Sequence, residues 1–292
     1  MTGDARDRVL VDAPSLRALL AAGEPVVVLD VRWALGRTDG REQHAAGHVP
    51  GAVYVDLDTE LAAPAARAVG RHPLPAPADL QAAARRWGVR DDVPVVAYDA
   101  VGGMSAARAW WLLRWAGVDD VRLLDGGLAA WVAAGGELEG GDVAPAPGDV
   151  VLRPGGLPTL DADGVALLAR GGGRDPAGGT VLDARTAERY RGEVEPVDPR
   201  AGHVPGAVSA PTAGNLTPDG RFLPTRALRE RFAALGVPGT GPVAVYCGSG
   251  VTAAHGVAAL AAIGVDAALY PGSWSQWSAD PARPAAVGPD PG

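Results

Sequence analysis

The 292-residue sequence contains a single cysteine, Cys247. One cysteine cannot form a disulfide within the chain, so no disulfide framework supports the fold. Residues 1–8 also lack the apolar core of a secretory signal peptide. We therefore expect the protein to work in a reducing cytoplasm.

Basic residues are in the minority, since 26 Lys and Arg stand against 34 Asp and Glu and give a formal net charge of −8. Such a chain has no basic footprint for nucleic acid or anionic lipid. It also lacks an apolar run long enough to cross a bilayer, and its most apolar segment, residues 257–263, is short and rich in alanine. We expect its partners to be small molecules or proteins, with no nucleic acid and no membrane.

The sequence has little that indicates a metal site. The five histidines form no Cys/His cluster with the spacing of metal ligands. His44 and His48 lie four residues apart, but without further ligands nearby. Ordinary polar contacts explain this pair better than a metal ion does.

The sequence does contain an internal repeat. The heptapeptide Gly-His-Val-Pro-Gly-Ala-Val occurs at residues 47–53 and again at residues 202–208. The chain length and a hydrophobic content of 47% allow two ordinary globular domains. Duplication of one unit is the simplest explanation.

Apolar strand-like runs alternate with helical patterns in both copies. The runs at residues 26–32 and 94–99 correspond to those at 181–185 and 242–247. The helix candidates end before glycine, at residues 15–22, 78–87, 225–235 and 251–263. This alternation predicts an α/β fold of two tandem domains, each a mainly parallel sheet with helices on both faces, with sites at the carboxyl ends of strands.

Proline- and glycine-rich stretches mark the domain boundaries. We predict a first domain at residues 1–140, a Pro/Gly-rich linker at 141–158, a second domain at 159–278 and a flexible tail at 279–292. Each domain is long enough to bury a core of its own.

Cys247 is the leading candidate for chemistry. It lies between an apolar strand-like run, residues 242–246, and a small-residue loop, residues 248–252, that opens a helix. Backbone N–H groups and the positive end of a helix dipole would stabilise a thiolate there. An inert buried cysteine is the alternative, but the glycines and the Ser249 and Thr252 hydroxyls better suit a backbone-lined pocket. The loop residues expected to contact a substrate are Gly248, Gly250, Val251 and Thr252.

The duplication separates scaffold from site. Asp30 and Arg32 repeat as Asp183 and Arg185, and His48 repeats as His203, so we interpret all of these as structural. The features found only in the second copy are Cys247, Ser249, Thr252 and the cationic segment 189–192. Within that segment Arg189 is the best candidate for holding a substrate carboxylate through two parallel hydrogen bonds.

The segment Tyr246-Cys247-Gly248-Ser249-Gly250-Val251-Thr252-Ala253 resembles the active-site loop of the rhodanese superfamily, in the form found in 3-mercaptopyruvate sulfurtransferases. Thiosulfate-type rhodaneses carry two basic residues after the cysteine, where this chain has Gly248 and Ser249. Cysteine phosphatases need an arginine six positions after the nucleophile to clamp phosphate. That position is Ala253, which disfavours phosphatase chemistry.

The resemblance to two-domain sulfurtransferases covers nearly the whole chain. It includes the paired heptapeptides, Trp33 after the Asp-x-Arg motif, the Asp125-Gly126-Gly127 turn and Gly272-Ser273-Trp274. In that family the amino-terminal domain has lost its nucleophile, and here Asp99 stands where the repeat would need a cysteine. The resemblance therefore implies that residues 1–140 form a catalytically inactive rhodanese-like domain and residues 159–278 the catalytic one.

Further site residues follow from the resemblance alone. Arg189 matches the family's carboxylate-binding arginine, although Glu188 replaces the preceding glycine. Asp58 and His72 match the family's acid/base groups and could relay a proton through Ser249. A second family arginine aligns with Val197, and Arg200 could substitute for it only if the loop bends differently.

The expected activity is sulfur transfer from 3-mercaptopyruvate through a Cys247 persulfide to a thiol, cyanide or a small redox protein. It requires no metal and no organic cofactor. Thiosulfate:cyanide sulfurtransfer is one alternative, and a non-catalytic sulfur-carrier or persulfide-binding module is another. The neutral Gly248-Ser249 pair favours mercaptopyruvate, because thiosulfate is a dianion, whereas the change at Val197 weakens that preference.

Overall fold

Parallel β-sheets organise the chain in the computed structural model, which describes residues 4–170, 179–237 and 241–292. Two units are distinguished, and each contains one sheet. Unit 1 consists of Met1–Ala63, Pro75–Leu157 and Leu216–Phe222, and unit 2 of Pro64–Leu74, Pro158–Asn215 and Leu223–Gly292. The predicted domain spans also include residues 1–3, 171–178 and 238–240, which lie outside the described residues.

Unit 1 has a five-stranded sheet in which every neighbouring pair is parallel. The strands are β1 (Leu10–Val11), β2 (Val27–Asp30), β3 (Val53–Tyr54), β4 (Val95–Tyr98) and β5 (Val121–Leu124). Their order is β1-β5-β4-β2-β3. The central strands β2 and β4 are rich in valine and buried along most of their length, as expected for a sheet that is covered on both faces.

Six helices connect the strands of unit 1. They are α1 (Ala13–Ala21), α2 (Gly40–Ala46), α3 (Leu57–Glu60), α4 (Pro77–Arg86), α5 (Ala106–Trp115) and α6 (Gly127–Ala133). Glycines with positive φ end two of the predicted helices, Gly23 at 68° and Gly88 at 82°, which is the conformation that glycine adopts without strain.

Unit 2 repeats the plan with a four-stranded parallel sheet in the order β7-β6-β8-β9. A parallel bridge between Thr159 and Leu269 extends it on the β9 side, in the position that β1 occupies in unit 1. The strands are β6 (Thr180–Asp183), β7 (Val208–Ser209), β8 (Val243–Tyr246) and β9 (Ala268–Leu269). The helices are α7 (Ala162–Arg170), α8 (Ala187–Arg191), α9 (Thr225–Ala234), α10 (Thr252–Ala261) and α11 (Ser273–Trp277), with a 3-10 turn at Thr212–Asn215. The predicted α/β class is therefore confirmed in both units.

Within the described parts of the chain, no helix is both long and apolar enough to cross a membrane. The longest helices have 10 residues. Two of these helices, α5 and α10, contact the sheets and are mostly buried.

The repeated Asp-x-Arg motifs form buried ion pairs at the ends of β2 and β6, as predicted. Asp30 accepts hydrogen bonds from Arg32 Nε at 3.0 Å and Nη2 at 2.9 Å, and Asp183 holds Arg185 in the same way. Each arginine also reaches a carbonyl of the repeated heptapeptide, at Gly47 or Gly202. The pairs tie a strand end to the following turn, which is a scaffold role.

The segments predicted as linker and tail both make hydrogen bonds with a unit. Residues 148–156 bond to unit 1, for example Gly148 N to Arg85 O at 2.7 Å and Arg153 N to Ala116 O at 2.7 Å. In the expected flexible tail, Ala286 exchanges backbone hydrogen bonds with His203, and Gly288 N donates to Arg191 O at 2.9 Å. The structure therefore packs the tail against unit 2, because backbone pairing satisfies its polar groups.

The turn after β4 is closed by the carboxylate of Asp99. One carboxylate oxygen accepts from Val101 N and Gly103 N, both at 2.8 Å, and the other from Ser105 N and Ala106 N at 2.8 and 2.9 Å. The side chain is fully buried. Four backbone donors are thus satisfied by one residue, at the place where the repeat has Cys247.

We predict that Asp99→Asn destabilises the protein by about 2–4 kcal/mol, because the amide NH₂ would face two backbone N–H donors and leave them unsatisfied. Equilibrium unfolding in urea, followed by tryptophan fluorescence, measures the effect. Asp91→Asn is the matched control, since Asp91 is exposed and its substitution should change stability by less than about 0.5 kcal/mol. Equal unfolding curves for the two variants would contradict the capping role of Asp99.

Candidate active site

Cys247 directly follows β8, at the carboxyl end of the sheet in unit 2, and the loop after it leads into α10. The thiol is buried, and Sγ accepts a hydrogen bond from Gly250 N at 3.1 Å. Gly250 has a φ of +78°, and a Cβ there would lie 2.5 Å from Pro271 O, so this turn over the sulfur requires glycine. The N–H group and the nearby start of α10 both favour negative charge on Sγ.

The other loop residues expected to contact a substrate lie in the same turn. Gly248 and Ser249 precede Gly250, Val251 is buried, and Thr252 is the first residue of α10. The predicted strand, loop and helix around the thiol are therefore present.

Residues at the start of α11 form hydrogen bonds that support the Cys247 loop. Cys247 N donates to Ser273 Oγ at 3.1 Å, and Trp274 N and Ser275 N donate to Cys247 O and Gly248 O at 3.0 and 2.9 Å. Ser273 has a φ of 52°, the one positive φ among the described non-glycine residues, and its hydroxyl also donates to Tyr270 O. Gly272-Ser273-Trp274 is part of the family resemblance, but the sequence alone does not indicate this supporting role.

Ser249 and His72 are brought together. Ser249 Oγ and His72 Nδ1 lie 2.7 Å apart, and both side chains are buried. The segment Pro64–Leu74 that carries His72 belongs to unit 2, although its sequence position lies within the predicted first domain. Two of the residues expected to form a proton relay are thus hydrogen bonded to each other.

Asp58, the third candidate relay group, lies in unit 1 on α3. Both of its carboxylate oxygens accept from Trp33 Nε1 at 3.1 Å. Asp58 N donates to the capping carboxylate of Asp56. Asp58 is exposed, whereas Ser249 and His72 are buried.

Two guanidinium groups lie beside Gly248. A Cβ built on Gly248 would be 2.9 Å from Arg71 Nη2 and 3.4 Å from Arg189 Nη1. Arg189 was predicted as the carboxylate ligand, whereas Arg71 was missed. The sequence feature that could have identified Arg71 as a site residue is its position immediately before His72 in Arg71-His72-Pro73-Leu74-Pro75.

Carboxylates hold these arginines in place. Asp198 accepts from Arg71 Nη1 and, at 3.1 Å, from Arg189 Nη2. Glu195 accepts from Arg189 Nη2 at 2.6 Å and from Arg185 Nη1 at 3.3 Å. Burial alone would raise the pKa of the Glu195 carboxyl, but the Asp198 N–H and the Arg189 guanidinium outweigh it and leave that pKa below its usual value.

Arg200 occupies a different environment from the one expected for a substrate ligand. Its guanidinium donates to four backbone carbonyls, those of Trp277, Ser278, Asp280 and Arg283, at 2.8–3.1 Å. The Arg200 carbonyl accepts from Trp274 Nε1 at 2.9 Å. These contacts fix the chain after α11, and they occupy the donors with which Arg200 would have bound a carboxylate.

No group of three or more His, Cys, Asp or Glu side chains within residues 4–170, 179–237 and 241–292 could hold a metal ion. The arrangement around Cys247 instead provides a thiol, a hydroxyl–imidazole pair and two guanidiniums. These groups can carry out covalent transfer from a small anion.

Comparison with known proteins assigns the family. The rhodanese-like domain matches residues 12–134 and 166–280. A Mycobacterium tuberculosis protein with the provisional name thiosulfate sulfurtransferase SseB is 50% identical over 97% of this chain and 99% of its own length. The 3-mercaptopyruvate sulfurtransferase of Escherichia coli is 34% identical over 87% of this chain and 89% of its own length.

A solved structure agrees with these matches. The crystal structure of SseA from Escherichia coli, described as a 3-mercaptopyruvate enzyme with the rhodanese fold, superimposes with a TM-score of 0.79 at 34% identity. The match covers 91% of this chain and 98% of that one. The chain therefore belongs to the rhodanese-like family and is a sulfurtransferase with two such domains in tandem.

Proposed function

We propose that this sulfurtransferase takes sulfur from 3-mercaptopyruvate and carries it as a persulfide on Cys247. The observation that supports the proposal most directly is the Cys247 loop, in which Gly250 N–H already points at Sγ. A donor amide in place before the reaction stabilises the thiolate and the persulfide anion without reorganisation.

In the first step the Cys247 thiolate attacks the sulfur of the donor. A sulfur–sulfur bond forms, the carbon–sulfur bond breaks, and its electron pair remains on carbon as the enolate of pyruvate. The enolate then takes up a proton and leaves as pyruvate. Ser249 and His72, 2.7 Å apart, are suited to deliver that proton, and Asp58 is proposed as a further acid/base group.

In the second step an acceptor removes the outer sulfur and regenerates the thiolate. The proposed acceptors are a small thiol, cyanide or a reduced small redox protein in the cytoplasm. Turnover by the isolated chain with a small donor and cyanide would distinguish this enzyme from a non-catalytic persulfide carrier.

Arg189 is proposed to bind the donor carboxylate. Its Nη1 faces Gly248, next to the nucleophile, and its Nε and Nη2 are held by Glu195. Arg200 is proposed as a structural residue instead, because backbone carbonyls occupy its guanidinium.

Thiosulfate is the second candidate donor, and the structure strengthens it. Gly248 and Ser249 bring no positive charge, which favours mercaptopyruvate on sequence alone, yet Arg71 and Arg189 lie against Gly248. Two guanidinium groups therefore lie close to the nucleophile, and each is paired with a carboxylate. Replacing Gly248 by arginine would also displace these two groups, so that substitution does not test loop charge alone.

The first functional prediction concerns the covalent intermediate. Incubation with donor alone should raise the intact mass by one sulfur atom, and Cys247→Ser should abolish both the adduct and turnover, because a hydroxyl cannot form a persulfide. Mass spectrometry and a cyanide-coupled assay measure the two effects. Full activity of Cys247→Ser would refute the mechanism.

The proton relay should matter for only one donor. Ser249→Ala or His72→Gln should lower kcat with mercaptopyruvate by about 10²–10⁴-fold, because the enolate needs a proton. With thiosulfate the leaving group is sulfite, which needs no proton on carbon, so kcat should change much less. Steady-state assays with both donors and cyanide as the common acceptor measure this difference.

Equal losses with both donors would show that Ser249 and His72 support the loop and do not move a proton. Asp58→Asn is assayed in parallel. A donor-dependent loss in that variant would place Asp58 in the relay, and unchanged kinetics would remove it.

Arg189→Lys should raise KM for mercaptopyruvate by about tenfold with little change in kcat, since one ammonium cannot both pair with Glu195, as Nε and Nη2 do, and present a donor beside Gly248, as Nη1 does. Arg191→Lys is the matched control, because Arg191 pairs with the exposed Glu193. An unchanged KM for Arg189→Lys would move the carboxylate site to another residue.

A further inference from the structure

Asp198 lies where an anionic donor would bind. Its carboxylate bridges Arg71 and Arg189, the two guanidiniums that lie against Gly248. The Asp198 side chain is almost fully buried. A bridging carboxylate between two arginines is the contact that a substrate carboxylate or sulfonate-like group would itself make.

We propose that Arg71 is the second cationic ligand for the donor's anionic group and that Asp198 is an internal carboxylate that competes with this group for the two arginines. This rests on the proposed active site at Cys247. Asp198 thereby sets both the affinity for anionic donors and the preference between a monoanion and a dianion.

The unused donors of Arg71 support its role. Arg71 Nε is buried without a hydrogen-bond partner among the described residues, and Nη2 faces Gly248. A carboxylate, that of Asp198, accepts from Nη1. A buried unpaired guanidinium donor is costly, and a bound anion would satisfy it.

The balance of charge gives Asp198 its effect on specificity. A chain of contacts links three arginines, Arg71, Arg185 and Arg189, to three carboxylates, Asp183, Glu195 and Asp198. With all six groups ionised the cluster is neutral, so a monoanionic donor leaves one uncompensated negative charge and thiosulfate leaves two. Because the cluster is largely buried, such charge is poorly screened.

The Asp198 carboxylate is itself held at an energetic cost. Burial raises its pKa, and Glu195 adds to this effect, although Arg71 and Arg189 oppose it. Because burial disfavours the ionised form of Asp198, an incoming anion can replace Asp198 as the partner of Arg71 and Arg189.

Binding measured without turnover tests the proposal. In a Cys247→Ser background, isothermal titration calorimetry at fixed ionic strength gives the Kd of thiosulfate and of mercaptopyruvate. Adding Asp198→Asn should lower the Kd of thiosulfate by about tenfold or more, and the Kd of mercaptopyruvate by less. Adding Arg71→Gln should raise both Kd values by about tenfold.

Glu193→Gln is the matched control. It removes the same charge five residues away in an exposed pair with Arg191 and should leave both Kd values unchanged. If Asp198→Asn does not fold, Asp198→Ser replaces it, with the same expectation.

Unchanged or weaker thiosulfate binding in the Asp198 variants would overturn the competition, because Asp198 would then orient the arginines for the donor. Unchanged binding in Arg71→Gln would exclude Arg71 as a ligand. These Kd values do not depend on sulfur transfer. The roles of Arg71 and Asp198 can therefore be refuted while the Cys247 persulfide is still found, and the persulfide can be absent while the Kd values change as expected.

Discussion

In each unit the side chain directly after a central strand, β4 or β8, accepts hydrogen bonding from backbone N–H in the turn that follows. In unit 1 this side chain is Asp99, whose carboxylate accepts from four amides and fills the turn. In unit 2 it is Cys247, whose Sγ accepts from Gly250 N. Equivalent positions of the repeat thus hold a buried capping carboxylate in one copy and, in the other, a thiol that accepts from a backbone donor.

Other residues of unit 2 hold the turn after β8 in place and bring positive charge next to it. The α11 segment bonds to Cys247 through Ser273 Oγ and Trp274 N and to Gly248 through Ser275 N, and these contacts fix the loop. On the other side, Arg71 and Arg189 reach Gly248 because glycine leaves room for them. The absence of a side chain at Gly248 is therefore as important for the electrostatics as the arginines are.

The six charged groups linked in unit 2 can be buried because each one pairs with a group of opposite charge. Asp183 and Arg185 form a strand-end pair that recurs in unit 1 as Asp30 and Arg32. In unit 2 Glu195 extends the pair toward Arg189. A scaffold element present in both copies has thus been connected, in one copy only, to the residues beside the nucleophile.

The sequence by itself determined the fold class and the duplication, and it singled out Cys247 as the candidate nucleophile, because these depend on patterns that are local or repeated. Only the tertiary structure decided which charges meet. Arg71 reaches Asp198 across 127 residues of sequence, and His72 reaches Ser249 across 177, and no local pattern encodes such pairs. Arg200 shows the same limit, since the family resemblance suggested it as a substitute for the arginine that aligns with Val197, whereas the path of the chain directs its guanidinium to carbonyls at and after the end of α11.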